Sequence, residues 1–129
     1  MKNMIDVKII DLVGPALDWA VAKVMGFVDY PEDSVERGSY WHLDTERAPF
    51  GRIMRKRDWR PSTDWNQGGP ILAKNIGKIS SLYPSTETWP SGEELLPWAM
   101  RAFVQAELKC DTMKVPESGH GCLDQFAYG

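Results

Sequence analysis

The densest set of side chains able to contact a ligand lies between Arg57 and Gly69. Asp64, Asn66 and Gln67 bring directional donors and acceptors, and Trp65 among them brings a flat face for stacking. Gly68 and Gly69 leave backbone N–H groups open and permit close approach of another group. Just upstream, Arg57, Trp59 and Arg60 mix cations with an indole, a combination suited to bases and phosphates. Arg101, far along the chain, is a further cation able to neutralise phosphate. A purely structural reading stands beside this one: Trp65 plugs the core and Gly68-Gly69 turns the chain.

Bond-breaking chemistry finds fewer footholds. A metal would have to use His120-Gly121-Cys122 with Asp111, Glu117 or Cys110, and that spacing fits no standard zinc pattern. There is no Gly-x-Ser-x-Gly nucleophile elbow. Gly68-Gly69-Pro70 lacks the Lys-Ser/Thr of a phosphate-binding loop, and no Rossmann glycine pattern occurs. Glu93-Glu94 is most simply an acidic pair favoured in the first turn of a helix. The expectation is a binding protein rather than an enzyme, with no cofactor and no metal.

Those residues need a scaffold. The chain of 129 residues suits one domain, large enough to bury a core without staples. Its net charge of −3 implies no general affinity for nucleic acid. The charge is uneven, however: Arg47, Arg52, Arg55, Lys56, Arg57 and Arg60 face only Asp58 within residues 47–60, a local net of +5. Such a segment is either a docking face or a solvated hairpin whose cations block sheet growth. Cys110 and Cys122 are too few for a disulfide framework, so free thiols in a reducing cytoplasm are expected. No signal-like or membrane-spanning apolar run occurs. Six tryptophans spread along the chain suit both core and interface, and an oligomer is expected.

The periodicity predicts a helix over about 15–25, opened by Pro15 and closed by Gly26, with Leu17, Ala20, Val21 and Val24 on one stripe. Trp19 and Lys23 lie to one side of that stripe, one turn apart. A second helix is predicted over about 95–109, starting near Leu95 so that Pro97 falls in its first turn. Its stripe is Leu95, Ala99, Ala102, Phe103 and Ala106. Ser91 to Glu94 resembles a capping box. Strands are expected at Val7–Val13, Phe27–Tyr30, Tyr40–Leu43, Gly51–Arg55, Ile79–Tyr83 and Thr86–Trp89. Residues 61–70 read as irregular, Asn75 to Lys78 as a turn, 31–60 as a basic hairpin insertion and 111–129 as a loose tail. The pattern is that of an α+β fold, a small, mainly antiparallel sheet packed with two helices.

Three motifs resemble a known family. Ala16 to Lys23 is similar to the opening helix of the NinX-type family of phage and prophage proteins. Ser62-Thr63-Asp64-Trp65-Asn66-Gln67-Gly68-Gly69-Pro70-Ile71 is similar to its central motif. Ala99 to Val104, followed by Val115-Pro116, resembles its closing helix and tail. Residues 31–60 and the tail beyond Pro116 depart from the pattern, so nothing is carried over to them. The resemblance implies a phage origin and expression in a host bacterial cytoplasm; it implies no reaction. By analogy with phage accessory proteins that counter host defence, the expected activity is sequestration of a nucleotide-derived signalling molecule. Trp65 or Trp59 would stack on a base, Asp64, Asn66 and Gln67 would read polar edges, and Arg57, Arg60 or Arg101 would meet phosphate. The alternatives are an inhibitor or adaptor that binds a host protein through the basic hairpin, and a small nucleotide hydrolase.

Overall fold

The first strand, β1 (Met4–Lys8), turns Ile5 and Val7 toward the core and Asp6 and Lys8 away from it, the period of a half-buried strand. The computed structural model describes residues 4–30, 40–43 and 53–116. β1 pairs antiparallel with β5 (Thr112–Pro116), with Ile5 opposite Val115 and Val7 opposite Met113. After Lys8 the chain tightens into a 3-10 turn, Ile9–Asp11, and both Ile9 and Leu12 are fully buried. The strand expected at Val7–Val13 therefore lies nearer the N-terminus. Two buried residues three apart suit a helical turn, and the strand's partner comes from a stretch read as loose tail.

Helix α1 (Gly14–Val24) carries Pro15 in its first turn, as predicted. It ends in a Schellman motif: Gly26 N–H donates to Lys23 O and Phe27 N–H to Ala22 O, with Gly26 at φ 89°. Its buried face is wider than the predicted stripe and includes Ala16, Ala22 and Asp18. The strands β2 (Val28–Tyr30), β3 (Tyr40–His42) and β4 (Ile53–Arg55) then form an antiparallel sheet in that order. All three fall inside the strands read from sequence. Residues 31–39 and 44–52, most of the expected basic hairpin insertion, lie outside the described residues.

The largest departure follows. The stretch read as irregular is the start of helix α2 (Trp65–Lys74), and the expected turn and strand at 75–83 are mostly helix α3 (Ile76–Leu82). Asp64 is the N-cap of α2, its side chain accepting the Asn66 N–H at 2.9 Å. Asp64→Ala should lower stability by about 1 kcal/mol in chemical denaturation. Only Asn75 breaks the two helices, and its side chain donates to Ile71 O at 2.8 Å. Turn formers and β-branched residues misled the pattern because α4 supplies the missing support: Ile79 is fully buried, Tyr83 Oη bonds Gln105 Oε1 at 2.8 Å, and Lys78 pairs with Glu107. Thr86–Thr88 is a 3-10 turn rather than a strand.

Helix α4 (Leu95–Leu108) begins at Leu95, with Pro97 in the first turn, as predicted. The capping box does not form; Gly92–Glu94 is a 3-10 turn and Ser91 makes no side-chain cap bond. Ala99, Ala102 and Phe103 are buried as predicted, joined by Leu96, Met100 and Val104. The helix ends on Lys109, whose φ of 57° is left-handed. The α+β class holds, but with four helices among the described residues and with two separate antiparallel sheets. None of these helices is long and apolar enough to cross a membrane.

Candidate functional site

Two hydrogen bonds fasten the segment before α2 onto α1. Trp59 Nε1 donates to the Asp18 carbonyl oxygen at 3.0 Å, and the Ser62 N–H donates to Asp18 Oδ1 at 2.8 Å. Pro61 and Ser62 are buried as a result. Between this segment, the first turns of α1 and Trp41 of β3 lies a cavity of about 440 Å³. That volume falls within the range of about 300–1,000 Å³ typical of small-molecule sites. Gly14, Pro15, Asp18 and Trp19 of α1 form one side. Lys56 to Arg60 and Thr63 form the other, with Trp41 between.

The aromatic walls are held from behind. Phe27 meets Trp59 edge-on at 4.9 Å and lies 6.4 Å from Trp41. Trp41 is 2% exposed and Trp59 7%, so these two offer only part of their rings, whereas Trp19 is half-buried and offers more. Cations sit on the same rings: Lys56 Nζ is 4.5 Å from the Trp41 centroid, and Lys23 Nζ is 5.9 Å from both Trp19 and Trp41. The predicted Trp19–Lys23 adjacency is thus present, and of the two Trp19 lines the cavity.

Asp18 is the buried acid of this cavity. Burial pushes its carboxyl up to about 6. The Ser62 hydroxyl, the Ser62 N–H and the charge of Arg60 pull the other way. The hydroxyl lies near the carboxyl but reaches no hydrogen bond of full geometry. The arrangement combines stacking surface, exposed cations at Arg57 and Arg60, and a buried acceptor. It suits a flat, anionic ligand that also carries donors.

Of the residues singled out from sequence, Arg57, Trp59 and Arg60 line the cavity. Asp64 through Gly69 and Arg101 do not. Each of several has a structural task instead. Gln67 Oε1 accepts the Arg60 N–H at 2.6 Å and its Nε2 donates to Asp58 O at 2.8 Å, bracing the cavity wall. Gly68 lets α2 approach Pro61 and Leu96. A Cβ built on Gly69 would meet Trp65 at ordinary contact distance, so no close approach depends on that glycine. Arg101 Nη1 donates to Leu12 O at 3.0 Å, tying α4 to the start of α1. Trp65 and Asn66 are exposed on α2. Asp18, Trp19, Trp41 and Lys56 were not among the sequence candidates. The signal for Asp18 was its place in a helix whose alanines and aliphatic residues leave little polar face. His120, Cys122 and Glu117, the weak metal candidates, lie outside the described residues, and among the described residues no group of three or more potential metal ligands occurs.

The family model described as Bacteriophage P22, NinX matches residues 8–107, a stretch that includes every described element walling the cavity. No curated protein and no solved structure matches the chain. The three motifs read from sequence and the extent of this match agree: the chain belongs to the phage NinX family.

Proposed function

We propose that this phage protein is a counter-defence sponge, which holds a nucleotide-derived signalling molecule in the cavity between α1, β3 and residues 56–63 without turning it over. The observation that supports this reading is the juxtaposition in one cavity of Trp19, Trp41 and Trp59 with Lys56, Arg57 and Arg60. Indole faces take a base, and the cations take phosphate. The protein would act in the host bacterial cytoplasm, and an oligomer would help to enclose a site that is open on one side. Calorimetry against cyclic mononucleotides, cyclic dinucleotides and cyclic ADP-ribose isomers tests it. At least one should bind, and Lys56→Glu combined with Arg60→Glu should weaken that binding by tenfold or more. The bound molecule should be recovered intact after denaturing the protein. Altered product would support the hydrolase reading, and no binding across the panel would overturn the sponge.

A second reading, an inhibitor or adaptor of a host protein, is favoured by Trp65, which is 49% exposed on α2. Exposed indoles are frequent anchors of protein interfaces. Pull-down from host lysate with the native chain and with Trp65→Ala separates the two: a stoichiometric partner lost with the indole supports the adaptor.

A further inference from the structure

Asp18 is 5% exposed, yet it forms part of the cavity wall. The Ser62 N–H fixes the rotation of its carboxylate by donating to Oδ1 at 2.8 Å. The carboxylate, which the Ser62 hydroxyl also adjoins, keeps acceptor capacity beyond that one bond. A buried carboxylate gains from every donor added to the one it has, so a ligand that supplies further donors is favoured over one that does not.

The neighbours narrow the choice. Trp19, Trp41 and Trp59 line the same cavity as the acid, which suits a planar ring as the group that meets Asp18. Lys56, Arg57 and Arg60 place positive charge on the same cavity, so the ring is attached to an anion. Among the common nucleobases, guanine presents two adjacent donors, N1–H and the exocyclic amine, to a carboxylate. Adenine sets its amine beside an acceptor nitrogen that repels the same oxygen. Hypoxanthine keeps N1–H and lacks the amine. Uracil and cytosine flank their donors with acceptors.

We propose that the cavity selects guanine nucleotides, with the Asp18 carboxylate accepting from the base edge while Lys56, Arg57 and Arg60 meet the phosphate. This deepens the sponge reading and rests on the cavity being a nucleotide site. Calorimetry with the cyclic 3′,5′-monophosphates of guanosine, inosine and adenosine tests it on the native chain. The guanosine compound should bind at least about tenfold tighter than the inosine one, the worth of one charge-assisted hydrogen bond. The adenosine compound should bind more weakly still.

Asp18→Asn supplies a second readout. The Ser62 N–H needs an acceptor, so it holds the carboxamide oxygen and turns the amide NH₂ toward the cavity. That variant should prefer the xanthosine cyclic monophosphate, whose 2-oxo group accepts, by about tenfold over the guanosine compound. A purely structural aspartate would not reverse the preference. Equal affinity of the native chain for the three purine compounds overturns guanine selection and leaves the nucleotide site standing. Absence of binding by all three also overturns it, and the dinucleotide and cyclic ADP-ribose measurements then judge the sponge reading independently.

Discussion

Replacing Gly68 by alanine should destabilise the fold by about 3 kcal/mol or more, whereas the same change at the adjacent Gly69 should be neutral or stabilising. A Cβ on Gly68 would stand 2.1 Å from the Pro61 carbonyl oxygen and 2.8 Å from Leu96 Cδ1. The leucine end can shift, but the carbonyl cannot do so cheaply. Pro61 is buried, and Trp59 and Ser62 on either side are bonded to Asp18. Relief would therefore have to move α2 from α4 or draw the cavity wall off α1. The gain in helix propensity from glycine to alanine, about 1 kcal/mol, is too small to offset this. At Gly69 the nearest atom to a new Cβ is Trp65 Cε3, at 3.5 Å, an ordinary contact, so the propensity gain survives there. Thermal melts should show Gly68→Ala about 10 °C or more below the native chain and Gly69→Ala level with it or a few degrees above. Equal melting temperatures for the two variants would show that α2 does not seat on Pro61 through Gly68.

The glycine pair illustrates what the sequence conceals. Its composition correctly signals close approach of another group, but the group is the protein's own backbone and Leu96 rather than a ligand. Asp64 and Gln67 likewise carry the hydrogen-bonding chemistry expected of them, and spend it on a helix cap and on Asp58 and Arg60. Local patterns fix α1 and α4 well because alanine-rich stripes and terminal Pro and Gly are local signals. They fail at α2 and α3, where Gly68, Gly69, Pro70 and Asn75 look like a loop, and tertiary contacts with α4 override the propensities. The cavity was half legible. Arg57, Trp59 and Arg60 are near neighbours in sequence, so their clustering is visible in one dimension. Asp18 and Trp41 lie far from them along the chain, and only folding brings them to the same wall.

The pH dependence of stability should identify Asp18 directly. Its carboxyl is raised from the ordinary 3.8 to about 6 in the fold, chiefly by burial. Between those values the folded chain holds a proton that the unfolded chain has released, so stability falls as pH rises through the window. The contribution is fully present below 3.8 and is lost above about 6. At about 1.4 kcal/mol per unit, the total is on the order of 3 kcal/mol. Asp18→Asn removes the one group and keeps an acceptor for the Ser62 N–H. The stability of the native chain minus that of Asp18→Asn, from urea unfolding at pH 4 to 7.5, should therefore decrease by about 2–3 kcal/mol across the series. Above pH 7 the variant should be at least as stable as the native chain, because a neutral amide sheds the desolvation cost of a buried charge. A flat difference would mean that Asp18 titrates normally and is better solvated than its place beside Trp59 and Ser62 implies. A falling one locates in the free protein an acid held uncomfortably ionised at neutral pH, which a donor-bearing ligand would relieve.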